Sequence, residues 1–199
     1  MTTVGRTAPR SRRTQADRSA TTRAALADAA IDLLIERGWA AVTAIEVCNR
    51  VGVTRGAFHH HYDNLPSLLA DALQRLYAEM GQRNPRPVTD LNGLIDATWA
   101  AIGNPRFKAV IEAWLAMAND PNLRDEIGPV VAEFAGLVNP DTMTSVLTDR
   151  KRRDYYRLAR ETMIGLALGR ATNGGQPLGH EASVLGGLRA GARSLNVST

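Results

Sequence analysis

Residues 43–62, TAIEVCNRVGVTRGAFHHHY, constrain the fold more than any other stretch, because they predict two short helices joined by a tight turn. Thr43 and Glu46 have the spacing of a capping box at the start of the first helix. Gly52 can adopt the left-handed backbone that ends a helix, and Thr54 can cap the next one. Between these signals, four apolar residues fall at the spacing of one buried helical stripe: Ala44, Val47, Cys48 and Val51.

The second of these helices is predicted to have an apolar inner side and an outer side suited to DNA. Phe58 and Tyr62 are the residues that we expect to face inward. The outward residues combine small side chains, which permit close approach to the major groove, with side chains that donate to base edges and phosphates. With the two cap threonines they form the candidate DNA-binding set: Thr43, Thr54, Arg55, Gly56, Ala57, His59 and His60.

The surrounding residues 22–73, TRAALADAAIDLLIERGWAAVTAIEVCNRVGVTRGAFHHHYDNLPSLLADAL, carry a family resemblance. An amphipathic first helix ends in Gly-Trp, a threonine starts the second, and G-V-T-x-G-A-F-x-x-H-Y precedes a leucine-bearing fourth helix. This pattern resembles the N-terminal domain of the tetracycline-repressor-type (TetR) transcriptional regulators. The resemblance implies a double-stranded DNA operator, a second all-helical domain that dimerises and usually holds a small-molecule inducer, and repression as the usual sign of regulation.

Three positions depart from the pattern of that family. The family usually carries tyrosine at the position of His59 and lysine at that of Leu65, and both commonly contact phosphates. It usually carries a polar residue at the position of Ile45. His59 can still donate from a ring nitrogen, whereas Leu65 cannot replace a cation. We therefore expect the family's binding mode with altered individual phosphate contacts.

The positive charge of the chain is concentrated at its N-terminal end. Residues 1–55 hold nine arginines against five acidic residues, whereas residues 56–199 hold equal numbers of cations and acids. The excess therefore lies where a phosphate backbone would bind. Residues 1–19 are basic and non-periodic, so they predict a disordered arm that either contacts the minor groove and phosphates or is a solvated tail.

Other classes of protein find little support in the sequence. No apolar run of about 18 residues predicts a membrane span, and the basic N-terminus lacks the apolar core of a secretory signal. A single cysteine, Cys48, suits a reducing cytoplasm. His59, His60 and His61 are consecutive, so on a helix they diverge and cannot share a metal ion. We therefore predict a cytoplasmic protein without catalytic residues, metal or cofactor.

The rest of the chain also predicts helices and no strands, giving an all-α fold. A first helix from about Ala20 to Arg37 begins the helix-turn-helix domain, residues 20–64, and a connector helix follows over 65–83. Two prolines within 84–87 mark the boundary of a ligand-binding and dimerisation domain, residues 84–199. Its predicted helices cover 90–103, 105–119, 122–138, 153–172 and 179–195, with Gly128-Pro129 expected to kink or split the third.

A ligand pocket is predicted around residues 107–119, which are apolar on nearly every side. The candidate lining residues could instead simply fill the core, and Glu112 could face solvent or orient a polar group of the ligand. The candidates are Trp99, Phe107, Val110, Glu112, Trp114, Met117, Phe134 and Met143.

The last two helices carry several glycines on a leucine framework. Each glycine inside a helix costs roughly 1 kcal/mol against alanine, so close backbone approach must compensate. We expect a four-helix interface in a homodimer, with intramolecular packing or frayed helices as the alternatives. The candidate interface residues are Leu158, Gly165, Leu166, Gly169, Leu185, Leu188, Gly191 and Leu195.

The residues predict a DNA-binding regulator, and the resemblance to the TetR family implies a repressor that is released from an inverted-repeat operator by a small, mostly apolar ligand. The alternative is an inducer-free or architectural DNA-binding protein. A cavity within residues 90–172 and a high ratio of specific to non-specific affinity would separate the two.

Overall fold

The structure of the protein, a computed structural model, describes residues 15–82, 88–137, 140–141, 143 and 145–197. Across these residues the chain is all-helical, as predicted, with a short 3-10 turn at Trp39–Ala41. The helices are α1 (Gln15–Arg37), α2 (Ala44–Val51), α3 (Arg55–His61), α4 (Leu65–Gln82), α5 (Leu91–Ile102), α6 (Phe107–Asn119), α7 (Pro121–Leu137), α8 (Arg150–Thr172) and α9 (Glu181–Val197).

Helix α1 begins at Gln15, five residues before the predicted start near Ala20, so residues 15–19 are helical and do not belong to a disordered arm. Two hydroxyl groups support this first turn by donating to carbonyl groups four residues earlier: Thr21 to Asp17 at 2.7 Å and Thr22 to Arg18 at 3.0 Å. Asp17 also lies where an acidic side chain stabilises a helix N-terminus. Residues 1–14 of the predicted arm lie outside the described residues.

Helices α1 to α3 form the head of the molecule, and α4 connects it to the remaining helices. The inner face of α1 is fully buried at Leu26, Ala30 and Leu34 and packs against α2, α4 and α6. Asn64 caps α4 by accepting from the backbone N–H of Ser67 at 2.8 Å. The helix runs from Leu65 to Gln82, within one residue of the predicted connector over 65–83. The predicted domain boundary at residues 84–87 lies outside the described part of the chain.

Helices α5 to α9 build the second domain, in which α8 contacts α5, α6 and α9. Asp90 and Asp149 cap α5 and α8 by accepting from backbone N–H groups three residues later. Helix α7 packs on α4 and α6 and runs unbroken through Pro129. Of the two predicted outcomes at Gly128-Pro129, the split does not occur, and the kink stays a prediction. Helices α8 and α9 pack on each other and on α5. Among the described residues, no helix is long and apolar enough to cross a membrane.

Candidate nucleic-acid interface and ligand cavity

The turn between α2 and α3 has the geometry that the sequence predicts. Gly52 lies in the left-handed region, with φ of 75°, and its N–H donates to the carbonyl of Cys48 at 2.9 Å. The N–H of Val53 donates to the same carbonyl at 3.0 Å, which fixes the corner. Thr54 then caps α3 by accepting from the N–H of Ala57 at 3.2 Å. The two helices are therefore held at a fixed angle by backbone hydrogen bonds.

Helix α3 places its residues as the sequence predicts. Phe58 is 1% exposed and Tyr62 is 3% exposed, so both belong to the core of the head. The candidate DNA-binding residues lie on the opposite side: Thr54, Arg55, Gly56, His59 and His60 are exposed, and Ala57 is half-buried. Thr43, at the start of α2, is exposed as well.

The histidine run on α3 is divided by its packing. His59 and His60 are exposed, whereas His61 is half-buried. Burial and the nearby positive charges of His60 and Arg23 lower the pKa of His61. Among the described residues, no group of three or more histidine, cysteine or acidic side chains could hold a metal ion.

The C-terminal end of α3 is fastened to α1 and α4 by a network around Asp71. The Tyr62 hydroxyl donates to a carboxylate oxygen of Asp71, and the carbonyl of Arg23 lies 3.1 Å from the same hydroxyl. Arg23 donates from Nε to Asp71 at 3.1 Å, and its guanidinium lies 5.0 Å above the Tyr62 ring. Burial alone would raise the pKa of Asp71, but the hydrogen bonds from Tyr62 and Arg23 outweigh it and lower the pKa. Asp71 on α4 is therefore joined to α1 and to the C-terminal end of α3 by charged hydrogen bonds.

The predicted capping box of α2 is only half formed. The Thr43 hydroxyl accepts from the N–H of Glu46 at 3.1 Å, as expected. The Glu46 carboxylate does not return to Thr43 but accepts from Arg37, at the end of α1, at 3.4 Å. This ion pair ties α2 to α1, a contact that the local sequence pattern does not reveal.

A cavity of about 550 Å³ lies between α4, α5, α6, α7 and α8. This volume falls in the range of sites that hold small molecules. The lining is mostly apolar and includes four of the eight predicted pocket residues: Phe107, Trp114, Phe134 and Met143. It also includes residues that the sequence analysis did not single out: Met80, Leu94, Ala97, Thr98, Ala101, Ile102, Val131, Tyr156, Arg160 and Ile164.

The other four predicted pocket residues lie away from the cavity wall. Val110 is fully buried in the core, and Met117 packs against the core from a half-buried position. Trp99 lies under the guanidinium of Arg170, 4.9 Å from its ring centroid. Glu112 neither faces open solvent nor reaches the cavity, because Oε2 accepts a hydrogen bond from the backbone N–H of Trp39 at 3.0 Å.

The polar groups of the cavity belong to α5 and α8. The hydroxyl groups of Thr98 and Tyr156 are 3.0 Å apart, and Thr98 donates to the carbonyl of Leu94 at 2.8 Å. Because the Thr98 proton is engaged there, Tyr156 is the donor within this pair. Burial raises the pKa of Tyr156, so its hydroxyl remains protonated. Arg160, one turn further along α8, donates to the neighbouring Glu161 at 2.8 Å.

Aromatic side chains join the cavity wall to α4. The rings of Tyr77 and Phe134 stack with centroids 3.9 Å apart and planes inclined by 5°. The Trp114 indole donates to the Tyr77 hydroxyl at 3.3 Å, and burial raises the pKa of Tyr77 to about 12. Trp114 and Phe134 therefore join the cavity wall to Tyr77 on α4.

Helix α6 also binds the end of α1 and the residue after Gly38 through two side-chain hydrogen bonds. Lys108 donates from Nζ to the carbonyl of Ile35 at 2.6 Å, and Glu112, one turn later, binds the N–H of Trp39. Gly38 has φ of 77°, and a Cβ added there would lie 3.2 Å from Oε1 of Glu112. Phe107, beside Lys108 on the same helix, lines the cavity. Helix α6 therefore contacts both the cavity and the junction of α1 with α2.

A smaller cleft of about 320 Å³ lies between the end of α1, the α5–α6 loop and the end of α8. Its cations are already engaged within the chain. Lys108 binds the Ile35 carbonyl, and Arg170 binds Glu181 and donates to the Gly103 carbonyl at 2.6 Å. The larger apolar cavity is therefore the better candidate for a ligand.

The predicted interface residues of α8 and α9 divide into two groups. Leu166, Leu185 and Leu188 are at most 9% exposed and belong to the core of their own subunit, and Leu195 is half-buried against it. Gly169 and Gly191 serve packing within the chain, since an added Cβ would lie 2.6 Å from Leu178 or collide with Tyr155. The exposed members are Gly165 and Leu158, the latter 61% exposed.

Further exposed residues extend the surface around that pair. Leu168 on α8 is 45% exposed, and Gly186, Gly187 and Ala190 on α9 are exposed. A Cβ added at Gly165, Gly186 or Gly187 would meet no atom within 4 Å. Packing among the described residues therefore does not require glycine at these three positions.

Comparison with known proteins assigns the head to a described family. Residues 26–72 match the family described as "Bacterial regulatory proteins, tetR family". Over 146 residues the chain is 30% identical to the HTH-type transcriptional regulator CymR of Pseudomonas putida. The matched region covers 70% of this chain and 71% of that protein.

Solved structures share the fold across most of their length. A putative TetR-family transcriptional regulator from Rhodococcus sp. superposes with a TM-score of 0.68 at 14% identity, covering 86% of this chain and 98% of that one. A putative transcriptional regulator from Saccharomonospora viridis in complex with choline gives 0.65 at 14% identity, covering 90% and 97%. NalD, the secondary repressor of the MexAB-OprM multidrug efflux pump in Pseudomonas aeruginosa, gives 0.62 at 18% identity, covering 88% and 97%.

Proposed function

The chain belongs to the TetR family of bacterial transcriptional regulators, and we propose that it is a dimeric repressor that releases an inverted-repeat operator when a small, mostly apolar ligand binds. As a member of this family it is a DNA-binding transcriptional regulator and not an enzyme. The apolar cavity is the observation that supports release by a ligand, because its walls include α4 and α6, two helices that contact the head.

The exposed side of α3 supports direct reading of bases in the major groove. Arg55 makes no hydrogen bond or ion pair within the described residues, so its guanidinium can bind a guanine edge without losing a partner. The nearest atom to a Cβ added at Gly56 would be 3.7 Å away, so the chain itself does not require glycine there. Its small size instead suits close approach of the helix to DNA. His59 and His60 flank this site as donors to bases or phosphates.

The exposed surface of α8 and α9 supports a two-fold dimer. Leu158 and Leu168 present apolar area, and Gly165, Gly186 and Gly187 permit close approach of a second backbone. Two recognition helices on one face of B-DNA should be separated by roughly 34–36 Å or a multiple of it. A dimer of this kind reads an inverted repeat.

The cavity supports a ligand with an apolar body and at least one polar group. Trp114, Phe107 and Ile164 offer apolar contacts, while Tyr156 and Arg160 offer hydrogen bonds. A ligand changes operator affinity only through its different affinities for the two conformations of the protein. We propose that a bound ligand displaces α6 and α4, and with them the contacts at Glu112 and Asp71 that hold the head.

To test this proposal, operators are selected from random duplexes with the full chain. The affinity of the chain for the selected duplex is then compared with its affinity for random DNA. We expect an inverted repeat that binds about 10³–10⁷ times more tightly than random DNA. In parallel, a compound library is screened by thermal shift and by the tryptophan fluorescence of the protein, to which Trp114 in the cavity wall contributes. A protein with high sequence specificity that binds no compound would favour the inducer-free alternative, and a protein without sequence specificity would favour the architectural one.

A further inference from the structure

The head carries one exposed large hydrophobic side chain among its described residues, Ile45 in the first turn of α2. Its side chain is 53% exposed, whereas the other large exposed hydrophobics, Leu115, Leu158 and Leu168, lie in the second domain. The apolar stripe of α2 runs along a different side of the helix, where Val47 and Cys48 are buried. Ile45 is therefore not part of the core of its own domain.

The charges next to Ile45 are arranged so that a polyanion can approach. The neighbouring Glu46 is paired with Arg37, and Arg50 on the same helix is paired with Glu36. Asn49, one turn after Ile45, is exposed and uncharged. The acidic side chains around this face are thus neutralised by arginines of the head.

Helix α2 is also in the right place to meet DNA at the edge of the groove. In a helix-turn-helix unit the second helix lies in the major groove and the first crosses the phosphate backbone. Ile45 precedes Cys48 by three residues on α2, and the Cys48 thiol contacts the carbonyl of Thr54 at the start of α3. Ile45 therefore lies on the side of α2 that is next to the groove-binding helix, where it can approach bases at the edge of the groove. An isoleucine offers no donor or acceptor there, so it gains nothing from a phosphate or from a polar base edge.

We propose that Ile45 is a specificity-determining residue that contacts the C5-methyl group of a thymine in each half of the operator. The inference rests on the proposed binding of an inverted repeat. The thymine methyl is the apolar group that base pairs display in the major groove. Isoleucine suits it because its branched side chain is stiff at χ1 and loses little freedom on contact.

The test uses the duplex selected by the full chain and replaces each thymine with deoxyuridine, which removes only the methyl group. For wild type we expect one thymine in each half-site whose replacement weakens binding by about fourfold, the equivalent of one buried methylene group. In Ile45→Ala the same replacement should have no effect, while Ile45→Val, which keeps a branched side chain, should retain part of it. Binding is measured by fluorescence anisotropy.

Leu115→Ala is the matched control, because Leu115 is likewise a large exposed apolar side chain, 59% exposed, but lies on α6, outside the helix-turn-helix. This control should show the wild-type response at every thymine. The inference would be overturned if replacement of each thymine weakened the binding of wild type and of Ile45→Ala by the same factor. It would also be overturned if Ile45→Ala bound the thymine duplex and the uracil duplex more weakly than wild type by the same factor. Failure to select any sequence would overturn the proposed operator binding as well, so the two failures are distinguishable.

Discussion

The contact between α3, the proposed recognition helix, and the connector helix α4 can be tested by replacing Tyr62 with phenylalanine. The change keeps the buried ring and removes one hydroxyl, whose proton is donated to the carboxylate of Asp71. A hydrogen bond to a charged group contributes about 1.5–3 kcal/mol. Arg23 and Arg75 still pair with Asp71 in the variant, so the loss should fall in the lower part of that range. For a chain of this size, a loss of about 1.5–3 kcal/mol lowers Tm by about 3–12 °C.

The pH dependence of this loss separates a charged contact from simple packing. The pKa of Asp71 in the folded protein lies below its ordinary value of 3.8. A carboxyl group with a lowered pKa contributes stability that is present above its ordinary value and disappears as the pH falls through the folded value. The difference in unfolding free energy between wild type and Tyr62→Phe should therefore be constant near pH 7 and shrink below pH 3.8.

Tyr155→Phe provides the matched control for this experiment. The Tyr155 hydroxyl donates to the neutral carbonyl of Leu188 at 2.7 Å, in the second domain. Its loss should cost about 0.5–1.5 kcal/mol without a change in the acid range. Urea unfolding across pH and operator anisotropy measure both variants, and only Tyr62→Phe should weaken operator binding. Equal stability of Tyr62→Phe and wild type at pH 7, or a loss of the same size above and below pH 3.8, would refute the reasoning.

The remaining predictions concern the three proposed contacts with DNA, partner and ligand. Arg55→Ala should relax one base position at a cost of about 1–3 kcal/mol in operator binding, with Tm unchanged, as measured by anisotropy on a set of single-base variants. Gly187→Leu should give monomers by light scattering and lose operator affinity. A Cβ added at Gly187 meets no atom of its own subunit within 4 Å, so the larger side chain should obstruct only the close approach of the second subunit. Ala101→Trp should fill the cavity and abolish the response to any ligand found by thermal shift, while Ala100→Trp, on the exposed side of α5, should leave that response intact.

The head could be predicted in detail because its signals are local. A threonine cap, a left-handed glycine and a second threonine cap lie within twelve residues, and each makes the hydrogen bond that its position predicts. The start of α1 was placed too late because residues 1–19 show no apolar periodicity from which a helix could be predicted. The helix nevertheless begins at Gln15, and the hydroxyls of Thr21 and Thr22 donate to carbonyl groups in its first turn.

The second domain was predictable as a set of helices but not as a set of contacts. Gly191 was interpreted as an interface residue from its place among small residues, whereas the structure puts it against Tyr155. Glu112 was weighed only between solvent and ligand, because its partner, the N–H of Trp39, lies 73 residues earlier in the chain. Helical spacing identifies which residues share a face, but it carries no information about which distant element covers that face.

The ligand cavity shows the same limit. Residues on one helix, Phe107 and Trp114, were found because they lie in an apolar run. Thr98, Tyr156 and Arg160 were missed because each is an ordinary residue in its own helix. Only the approach of α5 to α8 brings their polar atoms to one cavity.

The measurement that tests the central claim most directly is the mutual effect of operator and ligand on each other's binding. Operator affinity is measured by anisotropy with and without each compound that stabilises the protein, and compound affinity is measured by tryptophan fluorescence with and without operator. A coupling of about 1–3 kcal/mol predicts that saturating compound weakens operator binding about 5–150-fold, and that operator weakens compound binding by the same factor. A compound that binds in the cavity and leaves operator affinity unchanged would contradict the account.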